Sequence, residues 1–183
     1  MRQAWQFWQQ GVSQEFIDLV QEEAGKLDWM RATTFGQRSE EQDLSGTRRS
    51  NVKWLTGQAD IFNTLWSFVQ TANNELQVEV MNKADVQFTQ YDSEDEGFYG
   101  RHHDVNWENP EPYDRKISIS ILLSDPSEFD GGDLTFHEVT NQGIEWQKGS
   151  VLCFPSFLQH SVSPVTRGTR KSLVAWFEGP RWR

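Results

Sequence analysis

The stretch Lys116-Ile117-Ser118-Ile119-Ser120-Ile121-Leu122 alternates branched aliphatic and hydroxyl side chains with a period of two. Successive side chains on a strand point to opposite faces, so the three isoleucines share one face and the two serines the other. The pattern predicts a half-buried strand with its isoleucines against a core. Further strands are expected on both sides of it. Upstream, Val78, Val80, Val86 and Phe88 fall at even positions in β-favouring surroundings. Downstream, Leu134 and Phe136 follow a turn signal at Gly131-Gly132, Val151 to Phe154 form a short apolar run, and Ser172 to Phe177 form another. Short strands separated by turn signals predict a sandwich or jelly roll.

The N-terminal part has a different period. Ser13 is a candidate helix N-cap, and Phe16, Ile17, Leu19, Val20 and Ala24 recur at helical spacing up to about Leu27. The polar, glycine-containing stretch from Thr33 to Arg49 reads as a loop. A second helix is expected from about Gln58 to Glu75, with Ile61, Leu65, Phe68 and Val69 on one face. The expected fold is therefore mainly β with N-terminal packing helices on one face of the β core. One domain over residues 1–183 is expected, with helical support at about 13–75 and a jelly-roll core at about 77–178.

Composition bounds the function. The chain has 183 residues, enough for one substantial core, and 13% are aromatic, with nine Trp and twelve Phe. Such a composition excludes an intrinsically disordered chain. The net charge of -10 repels phosphate backbones and argues against nucleic-acid binding. The single cysteine, Cys153, precludes an intrachain disulfide and reads as a buried, inert thiol. Residues 1–6 carry no apolar signal core, and no run of ~18 apolar residues predicts a membrane span, so a cytoplasmic location is the expectation.

The chemistry is carried by four histidines and their neighbours. The segment Gly97-Phe98-Tyr99-Gly100-Arg101-His102-His103-Asp104 leads with aromatics into a His-x-Asp. On an extended strand His102 and Asp104 face one way and can reach one metal ion, while His103 faces the other. His160, after Phe154-Pro155-Ser156, is the candidate third ligand. Two imidazoles and one carboxylate leave positions open on iron for a bidentate 2-oxoacid and for O2. Iron(II) with Asp104 keeps a net positive charge that suits the α-carboxylate of such an acid. Its distal carboxylate needs a second cation. Arg170 and Ser172 share a strand face, and a guanidinium with a neighbouring hydroxyl binds a carboxylate well.

In these residues the chain resembles the iron(II)- and 2-oxoglutarate-dependent oxygenases of the prolyl 4-hydroxylase type, which fold as a double-stranded β-helix. The resemblance runs from about Lys53 to Trp176. It rests on Tyr91, Gly97 to Asp104, Gly131-Gly132-Asp133-Leu134-Thr135-Phe136, Phe154-Pro155-Ser156, His160 and Gly168-x-Arg170-x-Ser172. It implies that His102, Asp104 and His160 are catalytic and bind iron, and that Arg170 holds the distal carboxylate of 2-oxoglutarate with a hydrogen bond from Tyr91. It also matches Tyr99 and Trp176 to aromatics lining the substrate pocket. The implied reaction is hydroxylation of an unactivated C–H coupled to decarboxylation of 2-oxoglutarate to succinate and CO2, with ascorbate as an accessory reductant. Related halogenases lack the carboxylate that Asp104 supplies. Many prolyl 4-hydroxylases carry Lys where this chain has Arg170, and the stretch between Tyr91 and Gly97 is longer by about two residues and strongly acidic. These departures leave the expected iron site intact and bear on the substrate.

Plainer readings stand beside these. Arg170 reads otherwise as a solvated strand arginine, Ser172, Tyr91, Tyr99 and Trp176 as packing residues, and His137 as a surface or supporting residue. The acidic run Asp92, Glu94, Asp95 and Glu96 is either a solvated loop or a flap that attracts a basic substrate. Arg48, Arg49 and Lys53 form a basic cluster, either a surface patch or a contact for substrate backbone or phosphate. The expected partner is a prolyl or similar residue in a peptide or protein, with a free amino acid or other small molecule as the alternative. Oxidative demethylation of nucleic acid is a further branch, disfavoured by the charge. A zinc hydrolase using the same three ligands is the rival of another class. A non-catalytic jelly-roll binding module has no need of the triad.

Overall fold

The computed structural model describes residues 4–32, 46–140 and 143–183. Helix α1 spans Gln14–Gly25, and Ser13 caps it by accepting a hydrogen bond from the Phe16 N–H at 3.3 Å. Helix α2 spans Ala59–Leu76 and buries Ile61, Leu65, Val69, Ala72 and Leu76, the apolar stripe of its helical period. Both helices follow the expected periodicity. The strands are β1 (Gln6–Trp8), β2 (Met30–Arg31), β3 (Arg48–Arg49), β4 (Asn51–Trp54), β5 (Ala84–Asp92) and β6 (Phe98–His102). They continue as β7 (Tyr113–Leu122), β8 (Phe129–Gly131), β9 (Leu134–Phe136), β10 (Val151–Pro155), β11 (His160–Val162) and β12 (Val165–Pro180).

The major sheet runs in the order β1-β10-β7-β12-β5-β4-β2, with β8 pairing onto β12, and the minor sheet in the order β3-β6-β11-β9. The two sheets wall one cavity, which makes the β core a jelly roll. The outer face of the major sheet carries Ile117, Ile119, Ile121, Leu173, Ala175 and Phe177, which pack with α1 and α2 into the main hydrophobic core. Cys153 lies in that core, and burial pushes its thiol well above the usual range, as an inert buried thiol requires.

Four expectations are corrected. The strand β7 is buried on both faces: Ser118 and Ser120 are 0% and 4% exposed, because the minor sheet covers the side that the alternation assigned to solvent. Val78 and Val80 lie outside any strand and pack partly buried against the core; β5 begins at Ala84. Of the expected loop from Thr33 to Arg49, residues 33–45 lie outside the described residues, while Arg48–Arg49 form a strand paired with β6. The N-terminal support also holds strands: β1 adds to the edge of β10, and β4 pairs with β5. Among the described residues, no helix is long and apolar enough to cross a membrane.

Candidate functional site

Strands β6 and β11 pair with His102 opposite His160. This register carries the second histidine, distant in sequence, to the first. The candidate ligand atoms of His102, Asp104 and His160 lie within 4.8 Å of one another. His102 Nε2 is 3.6 Å from one Asp104 oxygen and His160 Nε2 is 3.7 Å from the other. Each imidazole has its Nδ1 against a backbone carbonyl, His102 to Gly100 at 2.8 Å and His160 to Leu158 at 2.9 Å. Such bonds place the proton on Nδ1 and leave the Nε2 lone pairs facing Asp104, the arrangement a metal ligand needs.

Asp104 is held from behind. The Ser118 hydroxyl donates to its carboxylate at 2.7 Å, Ser118 and Ser156 hydroxyls are 2.9 Å apart, and the Asp104 N–H donates to the Ser156 carbonyl at 2.8 Å. Burial pushes the Asp104 carboxyl up, but the adjacent His160 and His102 and the Ser118 bond outweigh it and hold it below the usual range. Burial drives His102 down to about 3, with His160 adding to the fall, so its imidazole is neutral at neutral pH. Ionised carboxylate and neutral imidazole are the forms that bind metal. A facial set of two nitrogens and one carboxylate oxygen fits a divalent iron ion.

Arg170 stands on β12 opposite Tyr91 of β5, with its guanidinium 5.7 Å from the Tyr91 ring centre. It is 3% exposed and donates to the Ser172 hydroxyl at 3.2 Å. Burial lowers its pKa, and among the described residues no carboxylate lies within ion-pair distance of it. Gly132 makes room: a Cβ there would stand 2.6 Å from the Arg170 Cδ, and the residue has φ +67°. A buried guanidinium without an anion is costly until one arrives. The site therefore fits a dicarboxylate reaching from the metal to Arg170.

The structure brings the predicted site residues to one cavity: His102, Asp104, His160, Arg170, Tyr91 and Ser172, together with Tyr99 and Trp176. Tyr99 stacks on His102 with ring centres 3.4 Å apart, and burial pushes its hydroxyl up to about 12. Trp176 is buried, carries the Arg115 guanidinium 4.0 Å from its ring centre, and has an indole N–H without a hydrogen-bond partner. His103 stays outside the triad, accepting from Trp107 Nε1 at 3.2 Å. His137 is exposed, 3.0 Å from the Ser161 hydroxyl.

One further residue of the site, Ser118, has no site role in the sequence reading, and another, Arg48, enters it only as part of a basic cluster. Ser118 was assigned to a solvent face, although its alternation with isoleucine was visible. Arg48 was grouped with Arg49 and Lys53 as a cluster, which the structure takes apart. Lys53 is buried and donates to the Ala24 carbonyl at 2.8 Å, and Arg49 pairs with Glu96 at 3.3 Å. Arg48 lines the cavity. The acidic run is tied down rather than left free: Arg31 pairs with Asp95 at 3.1 Å, and Thr169 donates to Asp92 at 2.8 Å.

Comparisons agree with this geometry. Residues 86–178, half of the chain and the part bearing every predicted site residue, match the family model of the 2OG-Fe(II) oxygenase superfamily. A PKHD-type hydroxylase of Idiomarina loihiensis is 29% identical over 149 residues, 78% of this chain and 67% of that protein. Among curated relatives the matched stretch spans from 27% to 75% of the relative's own length. A Pseudomonas putida prolyl-4-hydroxylase superposes with a TM-score of 0.69 at 20% identity, covering 98% of this chain and 94% of that one. A Trichoplax adhaerens prolyl hydroxylase, solved with a hypoxia inducible factor peptide fragment, superposes with a TM-score of 0.68 at 16% identity, covering 95% and 83%. The double-stranded β-helix, the match across its core and the clustered His-Asp-His side chains have one explanation: the chain belongs to the 2OG-Fe(II) oxygenase superfamily.

Proposed function

We propose that the protein is an iron(II)- and 2-oxoglutarate-dependent hydroxylase acting on a prolyl or similar residue of a peptide or protein, and that its two helices and two sheets act as one oxygenase unit. The observation that carries this is the convergence of His102 Nε2, His160 Nε2 and the Asp104 carboxylate, with the unpaired Arg170 guanidinium in the same cavity. Bound iron and 2-oxoglutarate would activate O2, one oxygen atom of which enters the substrate C–H as hydroxyl and the other the succinate formed as 2-oxoglutarate loses carbon dioxide.

In this reading His102, Asp104 and His160 would hold the metal and leave coordination positions for 2-oxoglutarate and O2. Ser118 fixes the Asp104 carboxylate, and the Gly100 and Leu158 carbonyls fix the imidazoles. Arg170, oriented by Ser172 and flanked by Tyr91, takes the distal carboxylate of the cosubstrate. Tyr99 and Trp176 wall the substrate side and exclude water, which strengthens each charge interaction within. The peptide preference is supported by the Trichoplax relative, whose structure holds a peptide fragment.

Purified protein given iron(II), 2-oxoglutarate and ascorbate is expected to form succinate, faster with a cognate peptide, and to add one oxygen mass to that peptide by mass spectrometry. Hydrolysis with zinc and no succinate with iron would replace this reading by that of a zinc hydrolase.

A further inference from the structure

Arg48 is buried, 7% exposed, on the wall of the cavity that holds the triad. Its Nε donates to the Ser50 hydroxyl at 2.8 Å and one terminal nitrogen donates to the Gln87 side-chain oxygen at 3.0 Å. Its guanidinium carbon lies 4.5 Å from the centre of the Tyr99 ring, and that ring stacks on His102. All of these partners are neutral, and among the described residues no carboxylate lies within ion-pair distance. A buried cation held by neutral groups alone remains short of counter-charge.

Besides the two histidines of the triad, the charged residues on the cavity wall are Arg48, Arg170 and Asp104, a surplus of one positive charge. A divalent ion and a dicarboxylate cancel each other when both are present, so the surplus remains. Arg170 is matched by the distal carboxylate and Asp104 by the metal. The cation left over is Arg48, beside the aromatic that touches a metal ligand. A planar guanidinium binds a carboxylate through two parallel N–H bonds, and Ser50 and Gln87 already orient this one.

We infer that the hydroxylated substrate carries a carboxylate close to the reacting carbon and that Arg48 receives it, which makes the substrate an acidic or carboxyl-terminal aminoacyl group of a peptide. This inference rests on the proposed function and narrows its substrate class. It also gives the orphaned Trp176 indole N–H, on the same cavity wall, an acceptor within the same ligand.

The test uses the protein loaded without oxygen with Mn(II) and 2-oxoglutarate. It is titrated by calorimetry with N-acetylated amino acids, each as the free acid and as the primary amide. At least one free acid is expected to bind about tenfold or more tightly than its amide, the scale of one charge-assisted hydrogen-bond pair. Arg48→Gln is expected to abolish that preference, and Arg48→Lys, which keeps the charge, to retain part of it and to show that the pocket still folds. Equal binding of acids and amides overturns the inference, as does no binding by any acid. A preference that survives Arg48→Gln overturns it too, and so does a loss confined to 2-oxoglutarate affinity, which would assign Arg48 to the cosubstrate. Failure to take up Mn(II) and 2-oxoglutarate at the loading step overturns the proposed function itself and this inference with it; normal loading without acid preference overturns only this inference.

Discussion

Strands β7 and β12 present two faces that are equally dry and chemically opposite. On the outer face Ile117, Ile119, Ile121, Leu173 and Phe177 are 0% exposed and pack under the helices. On the inner face Ser118, Ser120, Arg170 and Ser172 are no more than 4% exposed; the last three wall the cavity and Ser118 stands behind Asp104. The outer face gains stability by removing apolar area from water, with no directional requirement. The inner face buries polar groups, which costs free energy unless each is partnered. Its partners are other site residues, as in the Ser118–Asp104 and Arg170–Ser172 bonds. One sheet thus holds the fold on one side and the chemistry on the other, and substitutions on the two sides should fail differently.

The largest expected effect comes from the site. Asp104→Ala removes the one carboxylate of the triad and should abolish succinate formation, while urea denaturation of the metal-free variant still shows a cooperative transition. Arg170→Ala should raise the 2-oxoglutarate KM by about a hundredfold or more, the scale of losing one partner of a buried ion pair, and leave iron affinity within a few-fold. A normal 2-oxoglutarate KM in that variant would break the assignment of the cosubstrate carboxylate to Arg170.

On the outer face, Phe177 packs on Phe62 and Trp66 with ring centres 5.5 Å away in each case. Phe177→Ala should cost about 3–5 kcal/mol in urea denaturation, with metal affinity per folded molecule unchanged. Ser118→Ala, one residue from that face by sequence, should do the reverse. It should weaken iron binding by about 10- to 100-fold, measured by competition with a chelator, at a smaller cost in stability. If the two variants lose stability and metal affinity in equal proportion, the division between the faces does not hold.

A further effect is on acid stability. The His102 pKa falls on folding to about 3 from an ordinary 6.5, so the unfolded chain binds more protons between those values. The metal-free protein should therefore lose stability as pH falls from about 6.5 towards 3. His102→Gln should flatten this dependence in thermal melts recorded across that window.

Much of the site was legible from local spacing. His102 and Asp104 stand two residues apart on a strand end, and Arg170 and Ser172 repeat that spacing, so their shared facing follows from the period of a strand alone. Ser13 and the stripe of Ile61, Leu65, Phe68 and Val69 announced the helices by the same kind of local rule. The failures have a physical cause too. Serine between isoleucines is the pattern of a solvated face and equally of a buried polar one, and only the covering element distinguishes them. Arg48, Arg49 and Lys53 are neighbours in sequence, yet their partners at Gln87, Glu96 and Ala24 lie in different elements.

The amino-acid sequence by itself determined the strand and helix periods, the pairing of ligand residues on common faces and the charge types available for a metal and an acid. These are consequences of backbone geometry, which acts over a few residues. Tertiary structure alone decided that His160 meets His102, that Ser118 braces Asp104 and that Arg48 turns into the cavity while its neighbours turn away. Those outcomes depend on strand register and on which sheet covers which face, and the free energy that selects them is spread over contacts between residues far apart in the chain.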